Sequence, residues 1–176
     1  MHPQGPTVLD RADASEQIAT IVRLPAFAYD KHLTVFASNS LARALAPDLS
    51  AGTNIARALF LSDRPHQLSA RSWASACALV SDALRASLDA QGEDEAFISI
   101  VGELAALSMD FNLAWADTLS SAPGDQFELA AGPGGEITFT FRQAVAADAS
   151  GDTVVTMSPA DDVSAARLHA LVAAIL

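Results

Sequence analysis

Along this chain the hydrophobic positions first alternate with polar ones, then recur every three or four residues, then alternate again, which predicts strands, a helical block and more strands. Two brief alternating runs, Ala26 to Tyr29 and Thr34 to Ala37, flank Asp30-Lys31-His32, so a hairpin is expected there. Upstream, Ser15 to Val22 carries a short helical pattern ended by Pro25. Residues 1–22 read as a lead-in with a linker helix, and residues 23–176 as one domain.

Helices follow. Asn39 suits the N-cap of a helix from Ser40 to Ala46, because its side-chain oxygen can accept from an orphan backbone N–H. A second helix covers Asn54 to Leu61, with Ile55, Leu59 and Phe60 on one face. From Leu68 to Gln91 the stripe Trp73, Cys77, Val80, Leu84 and Leu88 opposes Arg71, Asp82, Arg85 and Asp89, and Gly92 is a natural stop. Asp94 to Leu107 presents Phe97, Val101, Leu104 and Leu107, and Ser108 offers the cap of a further helix with Phe111 and Trp115 one turn apart.

After Ala122-Pro-Gly124 the period returns to two, and three strands are predicted around Phe127 and Leu129, around Ile137, Phe139 and Phe141, and over Thr153 to Met157. Connections rich in Gly and small residues make an antiparallel meander the economical reading. Phe139 and Phe141 should then face the helices, and Thr138 and Thr140 face away. A last helix, Asp162 to Ile175, gathers Leu168, Leu171, Val172 and Ile175. The fold class expected is α+β: a five-stranded antiparallel sheet with helices inserted between strands 2 and 3 and packed on one face. That order is similar to a PAS-like domain.

With 176 residues, 51% of them hydrophobic and 18% charged, the chain has the size and composition of one globular domain. Its net charge of -11 argues against nucleic acid as a direct partner, since phosphate binding needs clustered Lys and Arg. His2 to Asp10 is polar and contains proline, unlike a signal peptide, and the best apolar stretch, Ala96 to Met109, is too short for a bilayer and carries Glu103. One cysteine excludes an internal disulfide and suits the reducing cytoplasm.

Chemistry-bearing residues are sparse. His2, His32, His66 and His169 lack metal-ligand spacing, so no metal is expected, and no Gly-x-Ser-x-Gly elbow, Walker loop or dinucleotide fingerprint calls for a cofactor. Cys77 lies in an apolar stripe, where a small buried hydrophobe is the usual explanation. Gly132-Pro-Gly-Gly135 joins two strands and opens no helix, so it supplies no phosphate site.

Several stretches together resemble the ligand-binding domain of MmyB-like transcription regulators. Leu24-Pro-Ala-Phe-Ala-Tyr-Asp30 and Leu33-Thr-Val-Phe-Ala-Ser-Asn39 are similar to that family's opening hairpin, with Ser38 replacing a tryptophan. Asn54-Ile-Ala-Arg-Ala-Leu-Phe-Leu-Ser-Asp63, Trp73, the run from Ile100 to Trp115 and Val154-Val-Thr-Met-Ser-Pro159 resemble further segments. Ala116-Asp-Thr118 and Ala131-Gly-Pro-Gly-Gly135 depart from the family's His-containing runs.

The resemblance implies a homodimeric, non-enzymatic sensor. It would bind a fatty acid or similar small apolar molecule and reach DNA only through a helix-turn-helix domain outside this sequence. The side chains then expected around the ligand are Phe27, Phe36, Trp73, Cys77, Val80, Phe111, Trp115, Phe127, Phe139, Phe141, Val155 and Met157, with Tyr29 nearby. Arg64, Arg71 and Arg142 are the candidates to meet a ligand carboxylate. Two other readings stay open: a small α+β enzyme, which would need an acid–base pair drawn from Glu103, Asp110 and Asp117, and a protein-interaction module with no cavity.

Overall fold

The computed structural model describes residues 11–62, 69–117, 126–130, 135–146 and 150–175. Helix α1 (Arg11–Thr20) leads into strands β1 (Ala26–Tyr29) and β2 (Val35–Ser38). Next come α2 (Ser40–Leu45), a 3-10 turn (Pro47–Leu49), α3 (Ile55–Leu61), α4 (Ala70–Gln91), α5 (Glu95–Leu107) and α6 (Met109–Ala116). The chain then returns to strands β3 (Gln126–Ala130), β4 (Glu136–Val145) and β5 (Thr153–Pro159) and ends in α7 (Asp162–Ile175). The class is α+β, and every strand pairing is antiparallel.

The strands lie in the order β2-β1-β5-β4-β3, so the last strand in sequence fills the centre of the sheet, between the first and the fourth. One sheet face meets the helices: Phe27, Tyr29, Val35, Ile137, Phe139, Val155 and Met157 share a core with Leu41, Phe60, Leu84, Phe97, Leu104 and Phe111. Along β4, Ile137 and Phe139 are buried and Thr138 and Thr140 are half-buried, the alternation expected of a strand with one covered face. Leu168 of α7 joins the same core.

The other face carries a small cluster of Ala26, Ala28, Ala37 and Ile18. Alanines there let α1 approach the strands closely, and Ile18 is only 2% exposed. A segment expected to be a linker helix from Ser15 is thus docked on the sheet from Arg11, whose guanidinium grips Asp152 through both carboxylate oxygens at 2.7 and 2.8 Å. A register shift brings Tyr29 opposite Val35 while Ala28 faces Ala37, which leaves Phe36 as the extra residue of a bulge. Phe36 therefore packs with the α1 cluster, its ring 4.8 Å from the Arg11 guanidinium carbon. Phe36, expected around the ligand, is turned by this bulge to the face that α1 covers.

Local capping sets the helix starts. Asn39, Asn54, Ser69, Asp94 and Ser108 each accept a backbone N–H of the first turn that follows. Gly92 ends α4 with φ +78°. At Gly151, φ is +71° and an added Cβ would stand 2.9 Å from the Lys31 Cβ and 3.1 Å from Gln91, so the hairpin tip and the end of α4 close over a position only glycine fits. Among the described residues no single helix is long and apolar enough to cross a membrane; α5 and α6 reach that length only together, and they are bent by 114°.

Candidate ligand cavity

Small side chains line a void between the helices and the sheet. Ala46, Ala58, Ala76 and Ala83, from α2 to α4, stand opposite larger groups on the sheet, and the space left between them is a cavity of about 250 Å³. The strands contribute Phe27, Tyr29, Phe141, Gln143, Val155 and Met157; the helical side adds Leu49, Ile55, Leu59, Leu79 and Val80. Burial keeps the Tyr29 phenol neutral by pushing its ionisation upward, partly offset by the Thr153 hydrogen bond. The lining is otherwise apolar except for Asp48 and Gln143.

The hairpin tip closes one end. Asp30 Oδ1 accepts from the backbone N–H groups of His32 and Thr34, both at 2.9 Å, and this turn holds Leu33 in the left-handed region at φ +63°. A non-glycine residue there costs about 1–3 kcal/mol. What offsets it is burial, because Leu33 is 1% exposed and lines the cavity. Lys31 Nζ at 2.7 Å and His32 Nε2 at 3.0 Å pin the tip to Asp94, the cap of α5. Lys31, the Phe97 backbone N–H and His32 hold the Asp94 carboxyl below the usual carboxylate range.

Of the side chains expected at a ligand, the structure brings Phe27, Val80, Phe141, Val155 and Met157 together around this cavity. Trp73 and Cys77 line a second one of about 260 Å³ with Asp82, Asp110, Leu113 and Asp117, between α4 and α6. The stripe that looks continuous in sequence is divided because α4 is overlaid by the sheet on one flank and by α6 on the other. Phe111 and Phe139 are fully buried core, Phe111 packing against Phe60 at 5.3 Å and Trp115 at 5.2 Å between ring centroids. Trp115 is covered in turn by Arg85, 5.0 Å from its ring.

Of the expected cations, Arg142 is not among the described lining residues. Arg142 is exposed and alternates with Phe141 and Gln143, so the period of two sends it to the opposite face of the sheet. Arg64 lies outside the described residues, as do the side chains of Arg71 and Phe127. The carboxylates on which an enzymatic reading would depend are not in this lining: Glu103 pairs with Arg57 at 2.7 Å, while Asp110, which accepts from the Trp73 indole at 3.2 Å, lines the second cavity together with Asp117. Among the described residues no cluster of His, Cys, Asp and Glu could hold a metal ion.

Residues that patterning missed are the alanines, Leu33, Leu49, Leu79, Asp48 and Gln143. Gln143 had a signal, since it is polar at a position in step with Ile137, Phe139 and Phe141. For the alanines there was none, because a small residue reads alike whether it faces a void or a close neighbour.

Burial, followed by the charge of Asp110, pushes the Cys77 thiol up to about 12. The thiolate is the reactive form, so Cys77 should resist a thiol reagent such as iodoacetamide at neutral pH until the chain is unfolded in urea. Modification of the folded protein at the rate of a free thiol would refute this. The sign of the linkage follows: above the ordinary thiol range the unfolded chain ionises and the folded one does not, so stability falls there as pH rises.

No curated protein matches the chain. The sequence profile described as the MmyB-like transcription regulator ligand binding domain matches residues 11–171, from the start of α1 to near the end of α7. The chain belongs to the MmyB-like transcription regulator ligand-binding domain family.

Proposed function

We propose that this domain is a PAS-like sensor that takes an acyl chain or similar small apolar molecule into the cavity between the sheet and helices α3 and α4, and that it catalyses no reaction. The observation that carries the reading is the cavity: a void of about 250 Å³ with an almost wholly apolar lining, in a chain whose family binds ligands. The strand order β2-β1-β5-β4-β3 supports the PAS-like description. In this role the domain works as a cytoplasmic homodimer. Ligand binding shifts the dimer's preferred arrangement, and DNA is contacted by a helix-turn-helix domain outside this sequence.

Size limits the ligand. Small-molecule pockets commonly span about 300–1,000 Å³, so this one suits a medium chain better than a long one. About eight buried methylenes at about 0.8 kcal/mol each contribute about 6 kcal/mol before ordering costs. That energy corresponds to dissociation constants between about a millimolar and a micromolar.

Native mass spectrometry of the purified protein, followed by titration with saturated chains of increasing length, tests the proposal. Affinity should rise with each added methylene up to about ten carbons and then level off as the chain outgrows the void. Failure to take up a chain of any length would remove the main support for sensing.

A further inference from the structure

We infer that α1 is the element through which the cavity signals: a bound aliphatic chain strengthens the seating of α1 on the reverse of the sheet, and the Arg11–Asp152 pair carries that coupling. This rests on the cavity being the ligand site. Strands β1 and β5 are neighbours, and each serves both sides of the sheet. Phe27, Tyr29, Val155 and Met157 line the cavity, while Ala26, Ala28 and Val154, which alternate with them, belong to the cluster under α1. A ligand and α1 therefore hold the same two strands from opposite faces.

Asp152 joins the two sides. It immediately precedes Thr153, which is the register partner of Tyr29 and buried like it. The Asp152 carbonyl accepts from the Ala146 N–H at 2.7 Å and so closes the ladder between β4 and β5. Its carboxylate receives Arg11 from α1 through both oxygens, and the same guanidinium covers the ring of Phe36, so Arg11 ties α1 to β2 and to the start of β5 at once. In the ligand-free protein the side chains around a void lack contacts on one side, and its walls gain by relaxing inward. Ala26 and Ala28 are 0% exposed beneath α1, so a small shift of their strand changes how that helix fits. A chain in the cavity holds β1 and β5 at the spacing α1 needs. Coupling of this kind is reciprocal: what the ligand adds to the seating of α1, the seating adds to the affinity for ligand.

Both directions of the coupling are measured, with decanoate as the probe. Calorimetric titration compares the intact protein with Arg11→Met, which keeps an unbranched stem over Phe36 and removes the guanidinium, and with Glu16→Gln, an exposed change on the same helix. Arg11→Met should weaken decanoate binding by about fivefold, although Arg11 lies on the face away from the cavity, and Glu16→Gln by less than about twofold. A pair that serves the fold alone would lower the urea midpoint of Arg11→Met and leave the decanoate dissociation constant of the folded protein unchanged, which would overturn the inference. Hydrogen exchange of the wild type supplies the other direction and needs no variant, so it decides the matter even if Arg11→Met folds poorly. Saturating decanoate should raise the protection of α1 amides by about fivefold, and by more than that of α7, none of whose residues lines the cavity. Decanoate that binds while α1 protection stays the same or falls would overturn the coupling and leave the cavity as the ligand site. If the wild type binds no decanoate, the sensing proposal itself falls and this inference falls with it.

Discussion

Val80→Trp is expected to reduce the affinity of the domain for aliphatic chains by at least about a hundredfold, a loss of about 2.7 kcal/mol, whatever their head group. Val80 is half-buried on α4 and projects into the cavity between Phe141, Val155 and the α3 side chains Ile55 and Leu59. An indole there takes up much of a void of about 250 Å³. Overpacking a filled core costs about 1–3 kcal/mol, but here the added ring enters space already present, so the change in folding stability should stay near the lower end.

Titration calorimetry with far-UV circular dichroism separates the two effects, and Ile98→Trp, on an exposed position of α5, serves as the control. Should Val80→Trp fail to fold, Ala76→Leu and Ala83→Leu fill the same cavity by smaller steps. Unchanged binding in a folded, filled variant would show that the ligand lies elsewhere.

The largest effect on stability should come from Asn39→Ala, a loss of about 3 kcal/mol in urea denaturation. Asn39 is 6% exposed, and all its hydrogen-bonding capacity is engaged between segments. Its oxygen accepts from the Ala42 N–H at 2.9 Å, capping α2, and from the Ala26 N–H at 3.2 Å, at the start of β1. Its amide nitrogen donates to the carbonyls of Ile21 at 2.7 Å and Leu24 at 2.8 Å. Losing a helix cap alone costs about 1 kcal/mol. The excess expected here comes from the part-buried carbonyls of Ile21 and Leu24 and the buried strand N–H of Ala26 left without a partner.

Asn39→Asp sharpens the test. It keeps the accepting oxygen but turns the donating end into a second acceptor facing two carbonyls, so it should be no more stable than Asn39→Ala despite preserving the cap. Ser40→Ala, at an exposed neighbouring position, should change stability by less than about 0.5 kcal/mol. A loss below about 1 kcal/mol for Asn39→Ala would reduce the residue to a helix cap.

These two residues mark what was legible in the chain. By itself the sequence determined the elements: β1 at Ala26–Tyr29, α7 at Asp162–Ile175, the caps at Asn39 and Ser108, the stop at Gly92 and the return to alternation after Gly124. These depend on hydrogen bonds spanning three or four residues and on which side of a strand or helix is apolar, and both are written within a short window of sequence. The family was legible for a related reason, since its motifs lie in contiguous runs.

Tertiary structure alone decided the placement of β5 between β1 and β4, the bulge that moves Phe36 under α1, the division of the α4 stripe between two cavities and the other three bonds of Asn39. It also decided where space remains. The void forms where Ala58 of α3 and Ala76 and Ala83 of α4 meet Phe27 of β1 and Val155 of β5, segments far apart in the chain. Hydrophobic period reports that each of these positions leaves water, but whether their volumes sum to a filled core or a cavity depends on the distance between backbones, which no local pattern encodes.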